Sequence, residues 1–315
     1  MPALIVCALL MGVPTQSPAP KLKVIPYGYG KWMATHTGAT THGDYSAVRP
    51  GLLFSYGDWK FITLYDLGHK RAGRTNNQLL DAWFLWTPKG KALKRLEFLQ
   101  GHVPAGWEAR TSASWIHTVN RTLVISRLIH STYDTMLWTE WENPWVDGGI
   151  FGVGLFNGTG LNSHDNDDQK DLMVGLRAPV GDVTLELTRY MGHGKSDLHF
   201  TEAMAHWQRG DWWINGEWWR GLRGGTHHRG GYILVRKRVH GHWWTSNRWE
   251  RWTWDDGVCS RGHWNRTTLG VSYEADKCWR GLINYEIYSG DGAPDDQLLA
   301  EVQFRWYPWT HKKKK

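Results

Sequence analysis

The sequence predicts an all-β chain closed as a transmembrane antiparallel up-and-down β-barrel of about 16 strands, with one long connection folded into the lumen. Three observations carry this expectation. Segments of roughly ten residues alternate apolar and polar side chains along most of the chain. The connections between them alternate between short and long, and 23 Trp and 12 Tyr crowd a chain of 315 residues. Side chains on a strand point alternately to opposite faces, so each segment has an apolar and a polar side. In a water-soluble sheet the apolar side looks inward, whereas in a membrane barrel it meets lipid. Trp and Tyr favour places where one end of the ring is apolar and the other wet, which includes both belts of a membrane protein and sugar-binding surfaces.

The first twenty residues, MPALIVCALLMGVPTQSPAP, hold an apolar run from Ala3 to Val13 followed by small residues and prolines. That run is too short to cross a bilayer as a helix and has the length of a signal-peptide core, although no Lys or Arg precedes it. Residues 1–20 are therefore read as a signal peptide cleaved near 17–20, residues 21–309 as the barrel and 310–315 as a basic tail. No later stretch approaches the ~20 apolar residues that a membrane helix needs. Export without a helical anchor leaves a soluble secreted protein or an outer-membrane barrel.

Strands are expected near 22–35, 46–56, 59–66, 78–87, 95–103, 136–143, 148–157, 170–178, 182–191, 198–208, 212–220, 230–238, 243–254, 264–275, 279–289 and 297–307. Between them, tight turns such as Gly57–Asp58, Pro179–Val180–Gly181, Arg209–Gly210–Asp211 and Asp276–Lys277 alternate with longer polar connections such as THTGATTHGD, GHKRAGRTNNQ, GLRGGTHH and DDGVCSRGH. A sandwich or propeller has no reason to keep this parity. A membrane barrel does, with short turns on the periplasmic side and longer loops outside. The connection 104–135 is too long to be a plain surface loop, so it is expected to fold inward and form the constriction. Its LVISRLI centre could alternatively make a short strand.

Parity then assigns faces. In the last strand Leu298, Ala300, Val302, Phe304 and Trp306 share the lipid side, and Glu301, Gln303 and Arg305 do not. Leu269, Val271 and Tyr273 oppose Arg266, Thr268, Ser272 and Glu274, just as Ile283, Tyr285 and Ile287 oppose Arg280, Asn284 and Glu286. Arg236 shares a parity with Arg238, and Arg248 with Glu250. Pore-lining, anion-binding candidates are thus Arg49, Arg177, Arg236, Arg238, Arg248, Arg266, Arg280 and Arg305 on strands, with Arg110, Arg121 and Arg127 on the long connection. Guanidinium groups bind oxyanions through charge-assisted, often bidentate hydrogen bonds, and several weak sites in line permit passage. The alternative is that they pair with Glu186, Glu217, Glu250, Glu274, Glu286 and Glu301 and only brace the inner wall.

The net charge of +7 suits an anionic partner, although Lys312, Lys313, Lys314 and Lys315 supply four of those charges as a solvated tail. Three Cys make no disulfide framework, because Cys259 and Cys278 fall at opposite ends of a strand. His227, His228, Cys259 and His263 lack the spacing of a zinc site. No metal, cofactor or nucleic-acid partner is expected.

The segment GGIFGVGLFNGTGLNSHDNDDQKDLMVGLRAPVGDVTLELTRYMG resembles the phosphate-selective porin O and P family, with a strand ending in F-N-G-x-G, an Asp/Asn-rich loop, a K-D start and an R-x-P turn. YGYGKW, NNQLLDAWFLW, LEFLQGHVPAGWE and NRWERWTWDD support it. Two departures stand out. The fifth strand reads Gln100, Gly101, His102 and Pro104 where the family has G-Q-x-K-x-P, and THKKKK follows Trp309 where barrels usually end on an aromatic residue. The resemblance implies a passive outer-membrane channel, not an enzyme, that passes small anions or small hydrophilic solutes, phosphate among them, and assembles as a homotrimer among outer-membrane lipids. Uptake of sugars or other small organic nutrients over stacked aromatics is the other channel reading. A barrel hydrolase would need Ser114 and His117 to converge with an orienting group. A soluble Trp-rich carbohydrate-binding β-protein would not need lipid.

Overall fold

The computed structural model describes residues 20–306 except 39, 72–73, 91, 130, 162, 164–167, 194–196, 259 and 276–277. The expected signal segment up to residue 19 and the Lys tail lie outside the described residues. Sixteen strands follow in order: β1 Lys23–Thr37, β2 Thr40–Tyr56, β3 Trp59–Arg71, β4 Arg74–Trp86, β5 Leu93–His102, β6 Tyr133–Glu142, β7 Ile150–Phe156 and β8 Asp171–Val180. They continue as β9 Val183–Met191, β10 Leu198–Arg209, β11 Trp212–Arg223, β12 Thr226–His240, β13 Trp243–Asp255, β14 Arg261–Tyr273, β15 Trp279–Gly290 and β16 Gln297–Trp306. Each pairs antiparallel with its chain neighbours, and β16 returns to β1 with Gly28 opposite Trp306, so the ring is closed. Closure leaves no sheet edge for lipid to meet unpaired.

Several connections expected to be long are hairpin tips instead. Thr37 pairs with Thr40, and Arg223 with Thr226, so polar residues of THTGATTHGD and GLRGGTHH continue the ladders. Gly224 and Gly225 make the second of these turns at φ of 55° and 76°, the two positive values that a tight hairpin needs.

The faces separate as parity dictates. Leu269 and Val271 are each 44% exposed and Ile283 is 56% exposed, while Arg266 is 3% and Glu286 0% exposed. In β16, Val302, Phe304 and Trp306 are exposed on the outer wall, and Glu301, Gln303 and Arg305 are buried inside. An apolar exterior around a polar interior is the reverse of a soluble sandwich, and only lipid satisfies it. At the short-turn end Trp59 stacks on Trp86 at 5.1 Å, Trp243 meets Tyr273 at 4.9 Å and Trp279 meets Phe304 at 5.0 Å. These pairs form an aromatic belt. Within WWTSNRWERWTW, Trp243 and Trp249 face out and Trp252 faces in.

The connection between β5 and β6 folds into the lumen. It contains α1, Trp107–Arg110, and α2, Leu123–Leu128, so the LVISRL segment is a helix and adds no strand. Ala105, Val124, Ile125 and Leu128 are buried in one cluster with Trp138, Phe200, Trp219 and Trp252 of the wall. Gly221 permits the approach of α2, because a Cβ there would come within 2.8 Å of a Leu128 methyl. Gly106 turns the chain into α1 at φ 56°, with the Glu217 carboxylate beside it.

Polar groups of the wall take up the backbone of this loop. Glu217 accepts from the Trp107 N–H at 2.6 Å, Asn284 from Val119 at 2.6 Å and Glu250 from Leu123 at 2.6 Å. Arg248 donates to Glu108 Oε1 and to the Asn120 carbonyl, both at 3.0 Å, and Glu108 Oε2 accepts from the Thr122 N–H at 2.8 Å. Arg280 donates to the Ser114 and Ile116 carbonyls, and Arg266 to that of Arg121. Removing one member of a buried charge pair leaves the other uncompensated, at a cost of about 3–5 kcal/mol.

Two outcomes follow from this architecture. Leu269→Arg on the outer wall should destabilise the bilayer-embedded barrel by about 2–4 kcal/mol in a denaturant titration, whereas a change within the error of the wild type would mean that this face never meets lipid. Glu108→Gln should release the loop: single-channel conductance rises and becomes noisier while the strand signal in circular dichroism is retained. Unchanged conductance would show that the loop does not set the passage.

Candidate functional site

With the loop anchored to the β11–β16 wall, open space remains on the opposite side. A cavity of about 420 Å³ lies between the loop and the wall of β1–β8. Tyr27, Tyr29, Trp83 and Trp138 give it aromatic surface, and His102 and Ser112 also border it. Three cations reach it: Arg95 from β5, Arg110 from α1 and Arg177 from β8. Asp81, Glu97 and Glu140 are the carboxylates on its lining.

Exposure separates these cations from the three that hold the loop to the wall. The side chains of Arg95, Arg110 and Arg177 are 32%, 25% and 34% exposed, against 0%, 3% and 1% for Arg248, Arg266 and Arg280. Arg95 pairs with Glu97 and lies 5.3 Å from the centre of the Trp83 ring. Arg110 pairs with Glu186 and donates back to the Gly106 carbonyl. Arg177 is held only loosely, with Nη2 3.7 Å from Glu140 Oε2, so most of its donors are available to a passing solute.

The eleven arginines singled out from sequence divide by location instead of forming one row. Arg110 and Arg177 border the cavity. Arg49 stands behind it, donating to Asp66 Oδ2 at 2.9 Å and to the hydroxyl of Tyr29. Arg248, Arg266 and Arg280 anchor the loop, and Arg248 and Arg266 also pair with Glu250 at 3.0 and 2.6 Å. Arg121 braces the loop from within, through the Glu108 and Thr111 carbonyls. Arg127 lies 4.8 Å from the Trp264 ring.

The last three gather toward the short-turn end. Arg236 pairs with Glu274 at 2.5 Å and lies 4.3 Å over Trp244. Arg238 pairs with Asp211, and Arg305 lies 3.9 Å over Trp115. Arg238, Arg305, Trp115, Trp244 and Glu274 line a second cavity of about 270 Å³. Sequence reasoning missed Arg95, although it shares its parity with Glu97 on the strand LKRLEFLQGH.

Ser114 and His117 have separate neighbours. Ser114 Oγ lies 3.2 Å from Ser112 Oγ, whereas the His117 ring packs against Trp107 at 4.8 Å and Trp213 at 4.5 Å. Burial pushes the His117 pKa well below its ordinary value, so the ring is neutral at pH 7. His228 Nδ1 accepts from Trp252, and His263 Nδ1 lies 2.9 Å from Asp291 Oδ2. Cys259 is outside the described residues, among which no group of metal-binding side chains gathers.

Comparison with known proteins agrees with this architecture. Residues 54–182 match the model of the family described as phosphate-selective porin O and P. No curated protein matches the chain by sequence. Among solved structures, the trimer form of OmpT, an outer membrane protein of Vibrio cholerae, superposes with a TM-score of 0.66 at 11% identity, over 92% of this chain and 100% of that one. An anion-selective porin from Comamonas acidovorans gives 0.66 at 11% identity, over 91% and 100%. The outer membrane channel DcaP of Acinetobacter baumannii gives 0.64 at 10% identity, over 94% and 100%. At such identities these neighbours speak for the fold alone. By its matched segment and by a closed ring of sixteen strands around an inward loop, the chain resembles the phosphate-selective porin O and P family and has the fold of an outer-membrane porin.

Proposed function

We propose that this chain is a passive channel of the bacterial outer membrane for small anions, phosphate among them, and that it works as a homotrimer. One observation carries the reading: Arg95, Arg110 and Arg177 line the open cavity beside the inward loop and are partly exposed there. An anion reaching this point exchanges part of its hydration for guanidinium donors. The loose grip of Glu140 on Arg177 leaves that group free to engage and release it. No bond is made or broken, and flux follows the concentration gradient. Asp81, Glu97 and Glu140 share the passage with the three arginines, so the preference for anions is modest. The matched family and the anion-selective neighbour support this solute class, and the trimeric neighbour supports the assembly.

A second reading is favoured by the aromatic part of the same lining. Tyr27, Tyr29, Trp83 and Trp138 offer ring faces on which a small organic solute could slide. The two readings differ in what blocks the current. Under the first, millimolar inorganic phosphate reduces chloride conductance; under the second, a saccharide does and phosphate does not.

Reversal potentials in planar bilayers under a potassium chloride gradient test the proposal. The wild type should favour chloride over potassium severalfold at about 0.1 M salt and lose most of that preference at about 1 M, where screening shortens to about 3 Å. Arg95→Gln with Arg177→Gln should bring the ratio close to one or invert it, with the barrel still folded. Arg238→Gln, at the short-turn end, should change it much less. A cation-selective wild type would overturn the reading.

A further inference from the structure

The apolar outer wall is interrupted in one sector by arginines that the lumen does not explain. On β9, β11 and β13 the outward positions run Val183, Leu185, Leu187; Trp212, Ile214, Gly216, Trp218; and Trp243, Thr245, Asn247, Trp249. Each run ends, toward the long-loop end of the barrel, on an exposed arginine: Arg189, Arg220 and Arg251. β12 runs the other way and presents exposed Arg229 before Gly231 and Ile233.

These residues are neighbours by register. Arg189 and Arg220 both pair with Thr201, Arg220 lies directly opposite Arg229, and Arg251 is opposite Gly231, two positions along from Arg229. Directly opposed residues have Cβ atoms about 4.5–5.5 Å apart, and like charges in that relation destabilise a sheet. Arg189 donates to Thr201 Oγ1 at 2.8 Å, and no ion pair joins any of the four to a carboxylate among the described residues. Four arginines on β9, β11, β12 and β13 thus form a row along the outer wall with no carboxylate partner among the described residues. The closed wall separates them from the lumen, so a solute crossing the pore does not meet them.

We infer that Arg189, Arg220, Arg229 and Arg251 form a binding site for the phosphate groups of a phosphorylated glycolipid in the outer leaflet. The row stands where the apolar band gives way to polar residues, the level at which lipid headgroup phosphates lie. An anion between Arg220 and Arg229 turns a repulsive pair into a bidentate clamp on two sides of one phosphate. Acyl chains of the same lipid would lie against Leu187, Trp218, Ile233 and Trp249 below it. The inference rests on the barrel spanning the outer membrane with its long-loop end outward, as the proposed function requires.

Native mass spectrometry of the detergent-purified oligomer tests it with two probes, a bis-phosphorylated acylated glucosamine disaccharide and its dephosphorylated counterpart. The wild type should retain the phosphorylated lipid about tenfold better. Arg220→Gln with Arg229→Gln should abolish that preference while leaving conductance and chloride preference unchanged, and Arg220→Lys with Arg229→Lys should keep most of it. Equal retention of the two lipids by the wild type, or a preference that survives the glutamine substitutions, would overturn the site. Capture of inorganic phosphate alone by lipid-free wild type, lost in the glutamine variant, would reassign the row to a free anion and overturn it equally. Because conductance is read in the same variants, failure here is distinct from failure of the channel reading.

Discussion

A buried backbone has to find hydrogen-bond partners, and in this barrel that constraint decides where the passage runs. The connection 103–132 enters the lumen with only two short helices, so most of its N–H and C=O groups have no regular partner of their own. The wall supplies them. Carboxylates of Glu217 and Glu250 receive amides, guanidinium groups of Arg266 and Arg280 receive carbonyls, and Arg248 ties the Glu108 side chain to the Asn120 carbonyl. All of these partners sit on β11 to β15. The loop is thereby drawn to one side, and the open cavity is left on the other, against β1 to β8.

The same chemistry therefore serves two ends within one lumen. Arg248 on β13 and Arg266 on β14 are consumed by structure, because carboxylates, the Thr118 hydroxyl and loop carbonyls surround them in a dry setting. An arginine on β5 or β8 has the loop's far face and water before it, and keeps donors for a solute. Charge on the inner wall is thus a poor measure of selectivity. Exposure at the narrow point is the useful one.

The ring itself was readable from sequence because a period of two runs through most of the strands, and all sixteen segments lie where the alternation puts them. Short turns such as Gly57–Asp58 and Gly210–Asp211 were sharply marked by glycine. The outer ends were misjudged because Thr40, Thr41, Thr226 and His227 look like loop residues yet continue the ladders. Anchoring could not be told from lining: Arg248 and Arg177 obey the same parity, and only the path of the loop separates them. That path depends on partners more than a hundred residues away, such as Val119 with Asn284 and Leu123 with Glu250. Arg95 was within reach of the parity argument. The outward arginines were too, since Arg220 shares its face with Trp218.

The loop thus seals one side of the lumen and leaves the other open. Cysteine accessibility tests it most directly, in a background whose native cysteines are replaced by serine. Ser112→Cys on the cavity side and Thr268→Cys beneath the anchored loop are each exposed to a bulky charged methanethiosulfonate reagent during single-channel recording. Rapid, lasting block is expected at position 112 and no reaction at position 268. Rapid block at position 268 would contradict it, because the anchored side would then be open to water.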